Sequence, residues 1–256
     1  MSSQLSRMLA IAILLATAPG CAAARADEPV RLKQAPPLAK GIAAFPHLVA
    51  GASRSATARI NRALTAAEQG VGCVDQSGRN TDWSRSTFAT MRGPRYLSLL
   101  AHDDFYCGGP YPDTDQIALV FDLRTGGPIN WKRFFPAGFI DAAGPSPGGG
   151  ESQPITVSSS ALWKLYAQMA AADLKNKDCA EVLANPSGVG TGLMLWPDAE
   201  TDGLSILQAD FSHVIKACGP AETIHRHDLA KLGISSAFLA ALDEAHRRRW
   251  YDKSAK

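Results

Sequence analysis

The chain has 256 residues, of which 46% are hydrophobic and 20% are charged, with 22 glycines and 16 prolines. This is the composition of an ordinary globular protein, and it excludes a disordered, collagen-like or coiled-coil chain. The formal net charge of +2 falls to zero if residues 1–26, which contain Arg7 and Arg25, are removed. A neutral chain lacks the basic surface that binds phosphate backbones, so we expect no nucleic-acid partner.

The first 26 residues have the pattern of an export signal. Arg7 precedes an apolar run over residues 8–18, which is shorter than the roughly 20 residues of a membrane-spanning helix. The triplet Ala24-Arg25-Ala26 predicts cleavage after Ala26; alternatively, residues 18–21 form a lipobox that would place a lipid anchor on Cys21. No later segment is apolar for long enough to span a bilayer. We therefore expect a periplasmic or secreted protein, or one tethered to the envelope by lipid.

The cysteine count agrees with export. Apart from Cys21, the chain has four cysteines, Cys73, Cys107, Cys179 and Cys218. An even number in an oxidising compartment predicts two disulfides. The pairs Cys73–Cys107 and Cys179–Cys218 are favoured because each closes a modest loop, although three connectivities, or four buried thiols, are open. No metal-ligand spacing such as C-x-x-C is present, and we expect no metal or other cofactor.

In chain order, an extended proline-rich lead-in over residues 27–44 precedes a single α+β domain over residues 45–250. The spacing of Ala56, Ile60 and Leu64 predicts a helix over residues 55–69. Four strand-like runs follow, at residues 86–91, 95–102, 115–123 and 129–135, with a turn at 124–127. Strands without intervening helices indicate an antiparallel meander.

A Gly- and Pro-rich stretch over residues 136–154 is predicted to be a flexible loop that joins two halves of the domain. Its residues 144–150 are not expected to form a regular element. Beyond it, helices are predicted at 158–174 and 179–183, strands at 193–196, 204–208, 211–216 and 222–225, and a final helix from Ser235 or Ser236 to Trp250. The expected fold class is α+β, with antiparallel sheet and helices packed on its face.

The patterns typical of enzymes and metal sites are weak. The string Gly144-Pro145-Ser146-Pro147-Gly148 matches G-x-S-x-G, but Pro147 lacks the N–H that an oxyanion hole requires. The pair His225 and His227 could begin a metal site only with His213 or Asp228 as further ligands. We therefore expect no catalytic residue. An alternative is a small cell-envelope hydrolase, which would require candidates such as His102, Asp103, Asp104 and His213 to converge.

The most informative stretch is the loop between two predicted strands. It carries the paired glycines Gly108 and Gly109, which permit unusual backbone angles, and the aromatic residues Phe105, Tyr106 and Tyr111. Aromatic rings on a rigid loop are suited to contacts with proteins or sugars. We predict binding residues at Tyr106, Gly108, Gly109 and Tyr111; the alternative is a structural turn whose rings fold into the core.

The string Y-L-S-L…Y-C-G-G-x-x-P…F-D-L-x-T-G-x-x-I…F-F, within residues 96–135, resembles a domain of unknown function found in bacterial envelope proteins. That domain forms the extracytoplasmic, lysozyme-sensing part of RsiV-type anti-sigma factors and the non-catalytic domain of PdaC-type peptidoglycan deacetylases. The resemblance runs from about residue 45 to residue 232. It implies an α+β fold and a partner that is a lysozyme-like protein or a cell-wall glycan.

This chain departs from the resembled family at the loop itself. Where the family usually carries Gly-Gly-Ala-His, the sequence here is Gly108-Gly109-Pro110-Tyr111. Segments for a transmembrane helix, for sigma-factor binding and for deacetylation are also lacking, so signalling and deacetylation are not implied. The expectation is an exported, non-enzymatic binding domain.

Overall fold

The computed structural model describes residues 30–69, 71, 82–108, 110–145, 153–173, 177–184 and 192–253. Antiparallel sheets and helices make up the fold, which confirms the predicted α+β class. The predicted signal peptide, Cys21, Cys73 and Gly109 lie outside the described residues. Among the described helices, none is both long and apolar enough to cross a bilayer.

The first half of the chain builds a three-stranded antiparallel sheet with one helix on it. Its elements are β1 (Arg31–Lys33), β2 (His47–Ala50), α1 (Arg54–Ala67), β3 (Asp82–Arg92), β4 (Tyr96–Tyr106) and β5 (Asp113–Asp122). Strands β3, β4 and β5 form the predicted meander, while β1 and β2 pair separately. The lead-in therefore contributes a strand, and β3 and β4 extend further than the sequence predicts.

Strand β4 is buried on both faces. Leu97 and Leu99 pack with Ile60 and Leu64 of α1, whereas Tyr96 and Leu100 point into a second cluster on the other side. The apolar run in this strand is therefore continuous, as expected for a strand without a solvent face.

The predicted turn after β5 packs directly against α1. Gly126 has a φ of +69°, and a Cβ at this position would lie 2.6 Å from the Ala56 Cα. Only glycine tolerates both the positive φ and the lack of space for a Cβ, so this turn and the first turn of α1 are fixed against each other.

The second half of the chain builds a five-stranded antiparallel sheet in the order β10-β9-β8-β7-β6. Its elements are β6 (Ala142–Pro145), β7 (Ile155–Ser158), α2 (Ser160–Asp173), α3 (Lys177–Ala184), β8 (Leu193–Asp198), β9 (Gly203–Gln208), β10 (Glu222–His225), α4 (Arg226–Lys231) and α5 (Ser236–Arg248). The predicted helices and the strands at 193–196, 204–208 and 222–225 are confirmed. Gly144 and Pro145, which were not expected in a regular element, lie in β6, where an edge position tolerates proline.

Two predicted strands are wrong. Residues 129–135 contain the 3₁₀ helix Trp131–Arg133, which begins because the Asn130 side chain accepts a hydrogen bond from the Lys132 N–H. Residues 211–216 overlap the 3₁₀ helix His213–Cys218. In that segment Val214 is 83% exposed, so its apolar side chains do not alternate into the core as those of a strand would.

The two sheets pack against each other around a buried hydroxyl. Thr90 Oγ1 in β3 lies 2.6 Å from Ser98 Oγ in β4 and 2.9 Å from the Pro197 carbonyl oxygen in β8. The Ala199 N–H also donates to the Thr90 carbonyl. These bonds fix the alignment of the sheets at a point where the surrounding contacts are apolar and non-directional.

The outer edge of β3 is covered by the segment that follows α5. Asp252 exchanges hydrogen bonds with Ala89 through its N–H and its carboxylate, and the Arg92 N–H donates to the Trp250 carbonyl. A β-bulge lies between Ala89 and Met91 at this place.

The predicted disulfide Cys179–Cys218 is present and ties α3 to the 3₁₀ helix His213–Cys218. Cys107 is also disulfide-bonded. Its predicted partner, Cys73, is outside the described residues, so that pairing stays a prediction.

Removing the Cys179–Cys218 bridge should destabilise the fold. The bridge closes a loop with a sequence separation of 39 residues, for which the chain-entropy model gives about 4 kcal/mol. We expect the Cys179→Ala/Cys218→Ala double variant to lose stability of this order in urea unfolding under oxidising conditions. A loss below about 1 kcal/mol would contradict the entropic estimate.

Candidate functional site

Strands β4 and β5 extend beyond the apolar core, and the loop that joins them there is the one predicted to bind a partner. At this end Phe105 pairs with Asp113. Two cavities, of about 420 and 170 Å³, share Asp115, Ile117 and Gln153 in their lining. We call this pair of cavities the strand-tip site.

The larger cavity lies between β5 and the 3₁₀ helix His213–Cys218. Its lining combines the apolar side chains of Leu207 and Phe211 with the amides of Gln116 and Gln208. Lys216 Nζ donates to Asp113 Oδ2 at 3.0 Å and to the Thr114 carbonyl at 2.8 Å, which holds the 3₁₀ helix against β5. The cavity walls are therefore cross-linked by charge-assisted hydrogen bonds.

Tyr111 lies in the loop that precedes β5, outside the lining of this cavity. It is 69% exposed, and its ring stacks on His213 with the centroids 6.1 Å apart. His213 Nδ1 lies 3.1 Å from Asp113 Oδ1, so the stacking partner of Tyr111 is itself anchored. The ring of Tyr111 does not fold into the core, which was the alternative reading of the loop.

The other predicted binding residues are placed differently. Tyr106 is half-buried at the end of β4, opposite Asp82. Gly108 has a φ of +78°, a conformation that glycine adopts readily. The contact role of this loop stays a prediction.

The smaller cavity is lined by an aromatic pair whose orientation is fixed by a buried ion pair. Trp83 and Phe105 stack with their centroids 4.7 Å apart. Arg85 donates through Nε and Nη2 to the two carboxylate oxygens of Asp103, both at 2.6 Å, and Trp83 Nε1 donates to Asp103 Oδ1 at 2.9 Å. The Arg85 and Asp103 side chains are each only 1% exposed. Asp103 thus orients the Trp83 ring and is not available as a reactive carboxylate.

Asp115 is the carboxylate that both cavities share. It lies directly opposite Asp103 in the β4–β5 register. Its side chain reaches solvent, but the protein around it raises its pKa by desolvation; Lys216 acts in the opposite direction. Asp115 is therefore a hydrogen-bonding group at the wall between the two cavities.

The residues considered for hydrolysis or metal binding pair with separate partners and do not converge on one site. His102 faces Asp104 at 3.6 Å, whereas Asp103 pairs with Arg85 and His213 with Asp113. His225 Nδ1 lies 3.1 Å from the Thr201 carbonyl oxygen, and His227 faces Asp228. Across the described ranges, no three His, Cys, Asp or Glu side chains are arranged to hold a metal ion.

Sequence reasoning missed Trp83 and Arg85. Both lie on one face of β3, opposite Phe105 and Asp103 of β4. Trp83 and Arg85 are two positions apart, as are Asp103 and Phe105, and this spacing places each pair on one face of its strand. The strands predicted at 86–91 and 95–102 do not include these four positions, so the pattern was missed.

Neither a scan against protein-family models nor a search of curated proteins finds a match for this chain. Among solved structures, it is similar to the crystal structure of a member of the DUF3298 family from Bacteroides fragilis. The identity is 12%, the TM-score is 0.43, and the alignment covers 73% of this chain and 67% of that chain. At these values the likeness assigns neither a function nor site residues, and the resemblance to anti-sigma factor and deacetylase domains stays a prediction.

Substituting Asp103 should be far more costly than substituting its neighbour. Asp103→Asn leaves the Arg85 charge buried without its counter-ion, and we expect a loss of about 3–5 kcal/mol in urea unfolding at neutral pH. The control is Asp104→Asn, which alters an exposed pair and should change stability by less than about 0.5 kcal/mol. Equal effects of the two variants would contradict a structural role for the buried pair.

The Asp113 carboxylate should stabilise the folded state at neutral pH and lose this effect in acid. Partial desolvation acts to raise its pKa, but hydrogen bonds from His213 and Lys216 outweigh this, and the pKa is lowered. The stabilisation is therefore present above the unfolded-state pKa and is lost as the pH falls through the folded-state value. We expect the stability difference between wild type and Asp113→Asn to shrink between about pH 5.5 and pH 2.5. Urea unfolding across this range checks it, and a difference that grows on acidification would contradict it.

Proposed function

We propose that this protein is an exported envelope domain that binds cell-wall glycan at the strand-tip site without transforming it. One observation carries the proposal. The stacked pair Trp83–Phe105 lines one of two adjoining cavities, and the exposed ring of Tyr111 lies in the loop at the same end of the sheet.

The chemistry of the site suits a sugar. A pyranose ring offers C–H groups on its faces and hydroxyls at its edge, so it pairs with an aromatic face and with amides or carboxylates around it. Trp83 is held in one orientation by Asp103 and by Phe105. Asp115, Gln153 and nearby amides supply the polar partners. Rings and polar groups fixed before binding lower the entropy that binding must overcome.

Export is supported by the disulfide chemistry. Cys179–Cys218 is bonded, and Cys107 is bonded as well, as expected for an oxidising compartment. The predicted routes of export, cleavage after Ala26 or lipidation of Cys21, fall on residues outside the described part of the chain.

A lysozyme-like protein is the other partner that the sequence resemblance implies. A stable protein interface buries about 800 Å² on each partner, with aromatic anchors at its centre. In the described ranges the exposed large apolar side chains are Leu38, Val49, Tyr111 and Val214, of which Tyr111 and Val214 lie in the loop before β5 and in the 3₁₀ helix His213–Cys218. Two side chains beside polar cavities fit a glycan better than a protein surface of that size.

Binding should depend on Tyr111. We expect the full-length exported chain to co-sediment with purified peptidoglycan sacculi, and Tyr111→Ala to weaken its affinity for soluble disaccharide-peptide fragments about tenfold, by loss of one stacking contact. Titration calorimetry with these fragments measures the effect. Tyr111 is mostly exposed, so its removal should leave the unfolding transition unchanged.

The control variant is Val49→Ala, which removes another exposed apolar side chain, 53% exposed on β2, outside the strand-tip cavities. Immobilised hen egg-white lysozyme forms a separate arm of the experiment. Binding to lysozyme but not to sacculi or fragments would replace the glycan with a protein partner. Chromatographic appearance of shortened fragments would favour the hydrolase alternative.

A further inference from the structure

A third cavity, of about 430 Å³, lies at the other end of the three-stranded sheet. It is bordered by Tyr96 at the start of β4 and by Arg95 directly before it, by Asp122 at the end of β5, and by Arg133 in the 3₁₀ helix Trp131–Arg133. Tyr96 and Phe105 are nine positions apart in β4, so this cavity is about 30 Å from the strand-tip site. The proposed glycan site does not use it.

The charges in this cavity are predominantly positive. Arg95 Nη2 lies 3.2 Å from Asp122 Oδ2, which neutralises one guanidinium. Arg133 is exposed, and no carboxylate of the described residues lies within ion-pair distance of it. The lining therefore retains about one net positive charge in a chain that is close to neutral as a whole.

Both guanidinium groups act on the same side chain. Tyr96 is only 3% exposed and lines the cavity. Burial raises the pKa of its hydroxyl, and Arg95 and Arg133 both act to lower that pKa. Arg95 and Arg133 both line the cavity, and the Arg95 guanidinium carbon lies 5.7 Å from the centroid of the Tyr96 ring.

The start of α5 adds hydrogen-bond donors to the same space. Ser235 and Ala237 line the cavity, and α5 is a helix of 13 residues. The Ser235 side chain makes no capping hydrogen bond, and the first turn contains no acidic residue. The amides of that turn and the positive end of the helix dipole therefore add to the field of the two arginines.

We propose that this cavity binds a phosphate group. Donors approach it from three places: Arg95 from the turn before β4, Arg133 from the 3₁₀ helix, and the amides at the start of α5. Such an arrangement matches a tetrahedral group with several acceptor oxygens better than a planar carboxylate. The cavity volume leaves room for an organic substituent, so the phosphate can be free or carried by an envelope lipid.

The test is a titration of the full chain with inorganic phosphate at constant ionic strength, followed by the NMR shifts of the Ser236 and Ala237 backbone amides. Wild type should show a saturable shift. Arg133→Gln should weaken the affinity about tenfold or more, because it removes a charge-assisted hydrogen bond. Arg31→Gln, an equal change of charge at an exposed position in β1, should bind as wild type does.

A second variant should lose phosphate binding without losing folding stability. Ala237→Glu places a carboxylate where the phosphate would bind, yet an acid in the first turn favours the helix. It should abolish the shift while preserving or raising the unfolding midpoint. Absence of a saturable shift in wild type, or equal affinities of wild type and Arg133→Gln, would overturn the proposal.

Flotation with vesicles identifies the source of the phosphate. If wild type, but not Arg133→Gln, floats with phosphatidylcholine vesicles that contain phosphatidylglycerol and not with phosphatidylcholine alone, the group is a lipid headgroup. Saturable phosphate binding without flotation assigns a soluble phosphate ester instead.

Discussion

The central constraint on this fold is that strand β4 is covered on both faces. Helix α1 packs on one side and the five-stranded sheet on the other, and Leu97 and Leu100 illustrate the two directions. Towards its C-terminal end the side chains of β4 become polar or charged, and the strand-tip site lies there. At the other end Tyr96 is still only 3% exposed, and the second candidate site begins beyond the strand, at Arg95. The position of the strand-tip site therefore follows from the point at which β4 leaves the layers that cover it.

Much of the first half could be predicted because its apolar patterns are long. The apolar spacing in α1 extends over several helical turns, and the apolar run in β4 extends over several residue pairs. In both elements the side chains that the local pattern marks as apolar are the ones buried in the fold. The short apolar runs at 129–135 and 211–216 were misread as strands. In the first, a hydrogen bond from the Lys132 N–H to the Asn130 side chain starts a 3₁₀ helix; in the second, Cys218 is held by its disulfide to α3. Neither influence appears in hydrophobic periodicity.

The sequence indicated a candidate site residue only where that residue belongs to a local motif. Tyr111 was identified from its loop. Trp83 and Arg85 were not, because their roles depend on the register of β3 against β4, which the sequence does not specify. Arg95 and Arg133 are 38 positions apart in sequence and resemble ordinary surface cations until the fold brings them to one cavity.

The segment Trp250–Asp252 has a consequence for how the molecule avoids self-association. It occupies the backbone groups of β3 around Ala89 and Arg92, while the Gly41–Ala43 segment occupies those of Arg85. An unpaired strand border is a template on which further chains can add. Two peptide segments more than 200 residues apart thus close the same border, and a polypeptide that lacked the later one would present an open template for fibre-like or dimeric pairing.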